Sequence, residues 1–150
     1  MSRISVRAIV IKDNQILVIN RDKFGEKYTT LPGGLVMLNE QPDQAVIREI
    51  NEETSIEVAN PRMIFIDHAE FYGDQLVYYC DYIAGEPTLR QDSQEYTISQ
   101  MGKNLYIPAW MSLAELPNVK FVSPELQRAI TDAVTNGWPQ AVVEFKSNRT

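Results

Sequence analysis

Residues 31–56 read LPGGLVMLNEQPDQAVIREINEETSI. The stretch joins a Gly-Gly turn, a helix start and an acidic helix end. Gln41 and Pro42 suit the cap and first residue of a helix, because the first turn loses nothing to proline's missing N–H. From Pro42 the spacing predicts a helix to about Thr54, with Val46 and Ile50 on a face that can bury against a core. Glu49, Glu52 and Glu53 fall together on another face, so three carboxylates converge.

That acidic face breaks local rules. Carboxylates at i,i+3 and i,i+4 repel by roughly 0.2–0.5 kcal/mol each, and at a helix C-terminus they meet the negative end of the macrodipole. Arg48 alone offsets them. A single Glu pair reads as a solvated helix face, but a run that violates several local preferences at once marks a functional site more often than a plain surface. A divalent cation reverses the sign. Hard oxygen ligands on a rigid helix suit Mg²⁺ or Mn²⁺, which keep waters and bind one or two carboxylates together with substrate phosphates.

Gly34 is followed after five residues by Glu40, and after seven more by Arg48 and Glu49, then Ile50, Asn51, Glu52, Glu53, Thr54, Ser55 and Ile56. This series resembles the Nudix box, the signature of the Nudix hydrolases, from Gly34 to Ile56 with every charged position filled. Ser55 stands where the family usually has Gly. A left-handed residue stops the helix there, so Ser is expected to cost about 1 kcal/mol or to shift the turn by a residue. Met37 and Asn39 also depart from the usual loop.

The resemblance implies metal-dependent hydrolysis of a nucleoside diphosphate linked to another group, with Mg²⁺ or Mn²⁺ as cofactor and a small nucleotide as substrate. It implies Glu52 and Glu53 as metal ligands, Glu49 as ligand or base, and Arg48 as the group that orients them. Glu40 would brace the loop or join through metal-bound water. Gly33-Gly34 lets backbone approach a cation closely, which offers the Gly33 carbonyl as a ligand and Gly34 as part of the substrate surface.

Composition sets the frame. With 150 residues the chain is expected to form one domain over residues 1–150 with a core that needs no staples. A net charge of −6 and no basic patch argue against nucleic-acid binding. The single cysteine, Cys80, excludes an internal disulfide and reads as a small buried hydrophobe in a reducing compartment. No apolar run approaches the ~18 residues of a membrane span, and no targeting signal precedes the first strand, so a soluble, cytoplasmic protein is expected.

The flanking sequence supplies strands. Residues 4–11 and 16–20 alternate as a hairpin around Lys12-Asp13-Asn14-Gln15, and polar residues 21–28 read as a loop. Arg21 and Lys27 are the nearest cations to the box, with phosphate contact and ordinary surface charge as the two readings. Residues 56–58 and 62–71 read as strands separated by Asn60-Pro61, and 75–83 completes a second hairpin. Of its tyrosines, Tyr78, Tyr79 and Tyr82 suit a core. Tyr72 lies near the position where a tyrosine marks the dinucleoside polyphosphate enzymes of the family, and it is a candidate for the substrate surface. The lone His68 carries little catalytic weight.

Residues 85–103 read as a long polar loop, a frequent place for function. Its acids are candidates for a further metal ligand or a general base, and the resemblance favours Glu95 over Asp92. Residues 104–111 return to strand character, Ser112 to Glu115 form a capping box for a short helix stopped by Pro117, and Ser123-Pro124 opens a last helix ended by Gly137. Its stripe is Leu126, Ala129, Ile130, Ala133 and Val134. The AVVEF run near the end could add an edge strand or make a homodimer contact. This element order predicts an α/β/α sandwich with a mixed β-sheet between helices, as the resemblance also implies.

A nucleotide-binding sensor that does not hydrolyse is the competing function, and the complete set of glutamates argues against it. A regulator would need a DNA-binding segment. A plain structural domain would show no thermal response to Mg²⁺ or Mn²⁺. The selecting residues lie outside the box; the downstream motif SQPWPFPQS of NADH-type enzymes is absent, and the small size favours a nucleoside triphosphate or an ADP-ribose-like substrate.

Overall fold

The computed structural model describes residues 4–148. The element order is β1 (Ile4–Lys12), β2 (Gln15–Lys23), β3 (Glu26–Thr30), β4 (Gly33–Leu35), α1 (Pro42–Thr54), β5 (Glu57–Ala69) and β6 (Gly73–Ala84). After these come α2 (Gln94–Ser99), β7 (Asn104–Ser112), a 3-10 helix (Leu113–Asn118), α3 (Pro124–Asn136) and β8 (Val143–Ser147). The strands follow the order β3-β2-β1-β6-β5-β8, with β4 beside β1 and β7 beside β2. The β1–β6 and β5–β8 pairs are parallel and the other strand pairs antiparallel, so the sheet is mixed.

Alternation along β1 explains the layering. Val6, Ala8 and Val10 pack with Ala45, Val46 and Ile50 of α1, while Ile9 packs with Leu126, Ile130 and Ala133 of α3 on the other side. Both faces are thus covered by helices, giving the expected α/β/α sandwich. Cys80 is buried on the α1 side, where burial pushes its thiol up to about 12. Asp67 ties the α3 layer to the sheet: its carboxylate accepts the Ser123 hydroxyl at 2.9 Å and the Ser147 hydroxyl at 2.6 Å.

The first hairpin forms, yet its two strands stay paired only at Ile11–Ile16 and Lys12–Gln15. Beyond that point β1 pairs with β4 and β6, and β2 pairs with β3, while β7 lies along the other edge of β2 from Gln15 to Lys23. A cleft opens where they part.

Several sequence expectations need correction. Residues 21–28 are not a loop: β2 runs on to Lys23 and β3 begins at Glu26, around a turn in which Phe24 (φ 53°) and Gly25 (φ 91°) are left-handed. The Gly25 N–H donates to Asp22 Oδ1 at 3.0 Å. Pro61 does not divide a strand, because register shifts between Ala59 and Arg62, with Asn60 at φ 52°, absorb it in a bulge of β5. The long polar loop contains α2, capped by Ser93 Oγ accepting from the Tyr96 N–H. Pro117 lies inside the 3-10 helix instead of stopping it, and Val134 is 40% exposed on α3. The AVVEF run does supply an edge strand, β8 beside β5.

Candidate active site

Helix α1 carries most of the site, and both of its ends are sealed. At the start the Gln41 backbone N–H donates to Gln44 Oε1 at 3.2 Å, with Pro42 at the first position. At the end Ser55 takes the left-handed conformation (φ 64°, ψ 10°), and its N–H reaches Asn51 O at 2.9 Å. The helix therefore ends where the sequence places it, and the serine bears the backbone strain without shifting the turn.

Arg48 organises the acids around it. Its Nε and Nη2 fork onto Glu40 at 2.7 and 2.9 Å, and its Nη1 donates to Glu49 at 3.0 Å and Glu52 at 3.1 Å. Glu40 also accepts the Met37 N–H at 3.0 Å, so it clasps the loop to the helix. The guanidinium holds the Glu40 carboxyl below its usual range, and Glu40 in turn raises the Arg48 pKa.

Beside this cluster lies a cleft of about 680 Å³. Ser5 and Arg7 of β1, Ile19 and Arg21 of β2, Gly33 and Gly34, Glu49 and Glu53, and Gln94, Glu95 and Ile98 of α2 line it, with Tyr28 and Tyr106 along one wall. Glu53 is 4% exposed and accepts the Gly33 N–H at 3.0 Å. Burial pushes its pKa up to about 8, against the pull of Arg7 and of that N–H. Glu49 is also raised by burial, against Arg48, and the negative charge of Glu95 raises both.

Gly33 is demanded by this packing, and at Gly34 a side chain would displace the Glu49 carboxylate. A Cβ on Gly33, at φ 156°, would stand 1.9 Å from the Val6 carbonyl oxygen, and one on Gly34 would stand 2.5 Å from the Glu49 carboxyl carbon. Only bare backbone lets β4 lie between β1 and the glutamates.

Two arginines supply fixed positive charge. Arg7 donates from Nε to Gln75 Oε1 and from Nη1 to Leu31 O, each at 3.1 Å, and burial lowers its pKa against the pull of Glu53 and Glu49. Arg21 lies over the Tyr106 ring at 3.7 Å and is held by Leu105 O, Tyr28 Oη and Asn104 Oδ1.

The structure thus gathers Gly33, Gly34, Glu49, Glu53, Glu95 and Arg21 at one cleft. Glu52 is not on its lining: its side chain is 38% exposed and joins through Arg48. Glu40 and Arg48 stand behind the glutamates. Tyr72 lines a separate depression beside Lys23 and Lys120, away from the box. His68 lies at the β6–β5–β8 edge between Asp74 and Glu144, which raise its pKa. Asp92 pairs with Arg90. Tyr79 and Tyr82 pack edge-on against Trp138 and Trp110, as core residues do.

Arg7 and Tyr106 were missed from the sequence. The available signal at Arg7 was its alternation with Ser5: two polar residues on one side of an otherwise apolar strand.

The donor set fits a hard divalent cation. Two buried carboxylates, with a third beside them, are raised in pKa by burial and mutual repulsion, and a cation relieves both. Among the described residues, no three His, Cys, Asp or Glu side chains stand close enough to hold an ion by themselves. An ion taking one or two carboxylates and keeping its waters suits such a site.

A family model described as NUDIX domain matches residues 1–132. This chain belongs to the Nudix family. Among curated proteins the Nudix chain is 31% identical over 134 residues to an NAD-capped RNA hydrolase NudC of Haemophilus influenzae (strain PittGG), covering 83% of this chain and 46% of that one. It is 44% identical over 54 residues to an ADP-ribose pyrophosphatase of Methanocaldococcus jannaschii, covering 35% of this chain and 32% of the relative. Among solved structures, a MutT NUDIX hydrolase from Burkholderia pseudomallei superposes with a TM-score of 0.63 at 25% identity, over 85% of this chain and 95% of that one. The chain spans less than half the length of the NudC relatives it matches. Among the described residues no helix is long and apolar enough to cross a membrane.

Proposed function

We propose that this Nudix protein hydrolyses a phosphoric anhydride bond in a nucleoside diphosphate derivative, with Mg²⁺ or Mn²⁺ held by Glu53, the Gly33 backbone and the ion's own waters, and with Glu49 and Glu95 lining the same cleft. The observation that carries the reading is the convergence of those carboxylates with Arg7 and Arg21 at one cleft. When bound, the cation neutralises phosphate charge and lowers the pKa of an attacking water.

The chain's own groups do the rest. Arg21 and Arg7, each held by hydrogen bonds, meet the phosphate charge without reorganising. Glu49 takes the proton from the attacking water, a role suited to a carboxyl raised by burial. Arg48 fixes the Glu49 carboxylate and connects Glu52 to it. The Tyr28–Tyr106 wall offers apolar surface to the organic part of the substrate, and the cleft volume lies within the roughly 300–1,000 Å³ of small-molecule sites. A nucleoside triphosphate or an ADP-ribose-like nucleoside diphosphate derivative is the substrate class we favour.

The test is a hydrolysis screen with Mg²⁺ and with Mn²⁺ over nucleoside triphosphates, ADP-ribose, nucleotide sugars, dinucleoside polyphosphates, NADH and coenzyme A, with products identified. Cation-dependent release of a nucleoside monophosphate or of pyrophosphate is expected. Tight nucleotide binding with no phosphate product would replace this reading with that of a sensor.

A further inference from the structure

We infer that Ser55 is a positioning residue, whose hydroxyl latches residues 85–93 to the end of α1 and so carries Glu95 to the cleft. The inference rests on the reading of the cleft as a hydrolase site. Ser55 Oγ donates to Thr88 O at 2.6 Å, and in return the Thr88 N–H donates to Thr54 O at 2.8 Å. Arg90 adds a third tie, from Nη1 to Asn51 Oδ1 at 2.7 Å. The strand exit is close as well: a Cβ on Gly85 would stand 2.6 Å from Ser55 O, so only glycine lets the strap start there.

The strap leads directly into the short helix. Ser93 donates to Arg90 O from both its N–H, at 3.0 Å, and its hydroxyl, at 2.7 Å. The same hydroxyl accepts the Tyr96 N–H at 3.1 Å and caps α2. This helix has six residues and none of them is buried, so it has no core of its own to hold it. Its place depends on the strap at one end and on β7 at the other, where the Tyr106 N–H meets Ser99 Oγ at 3.0 Å. Glu95 is in its first turn and lines the cleft.

Glycine at position 55 would adopt the left-handed backbone with less strain but would lack the hydroxyl. The departure from the usual box residue thus exchanges conformational ease for a tie to the segment that bears Glu95.

The test compares the full chain with S55G, S55A, E95Q and S55G/E95Q, reading amide hydrogen exchange over residues 86–99 and steady-state kinetics on the best substrate of the screen. S55G should unfold at or above the wild-type temperature, since backbone strain is relieved. Its exchange over 86–99 should nevertheless quicken severalfold, and kcat should fall about tenfold with KM roughly unchanged, within what a small misplacement costs. S55A should match that kcat at a lower unfolding temperature. In the E95Q background S55G should cause no further fall, because the two residues act as one unit. Wild-type exchange over 86–99 in S55G would overturn the inference, as would wild-type kcat in both serine variants or an equal fall in both backgrounds. Should the wild type hydrolyse nothing, the functional reading fails by itself, and the exchange measurement still decides the latch.

Discussion

Glu53 shows how one residue can set the behaviour of the site. It is almost wholly enclosed, and burial outweighs the two groups that favour its charge, Arg7 and the Gly33 N–H, so its pKa rises to about 8. In the unfolded chain the same carboxyl titrates near its ordinary value of about 4.5. Below that pH it is neutral in both states, and the full stability is present. Between about 4.5 and 8 the unfolded chain has released the proton that the folded chain keeps, so stability falls as pH rises. We expect the metal-free protein to lose about 2–4 kcal/mol between pH 5 and pH 8 relative to Glu53→Gln, as read from urea unfolding in EDTA. Parallel pH dependences for the two proteins would contradict this.

At the scale of the element, α1 was the most legible part of the chain. Its cap and its buried face follow from local rules and the structure runs Pro42–Thr54 as read, whereas its exit through a left-handed Ser55 goes against the usual preference for glycine. The strand ends were harder, because β2 and β3 continue into polar sequence held by a left-handed turn, and β5 passes a proline by bulging. The β2–β3 hairpin is local, but its residues 21–28 are polar on both faces and show no alternation, and the β5 bulge is set by its pairing with β6. The division of labour among the acids was legible only in part. Helical spacing puts Glu49, Glu52 and Glu53 on one face, but packing against β4 buries two of them and leaves the third to Arg48. Arg48 bonds Glu40, Glu49, Glu52 and Leu35 O, so it joins the helix to the loop before it. Arg48→Ala should lower stability by about 1–3 kcal/mol by leaving charged groups without their partner, and should lower kcat more than it changes KM. A variant with wild-type kcat would show that the glutamates hold their places without it.

Over the whole molecule the site exists because β1 and β2 separate after two paired positions and the cleft opens between them. From β1 comes Arg7, from β2 Arg21, from β4 the glycine pair, from α1 two glutamates and from α2 a third. The box was visible in the sequence since its residues are local and charged. Arg7, Tyr106 and the approach of α2 were not, because sheet topology and the strap at Ser55 bring them in from distant parts of the chain. This convergence, as we propose it, holds a divalent cation against a substrate diphosphate. It is tested most directly by steady-state hydrolysis of the best nucleotide substrate, with Mg²⁺ varied, by the wild type and by Glu53→Gln. We predict a kcat for the variant at least about a hundredfold lower, with a higher Mg²⁺ requirement and an unchanged fold by circular dichroism; equal kcat and equal Mg²⁺ dependence in the two proteins would contradict the account.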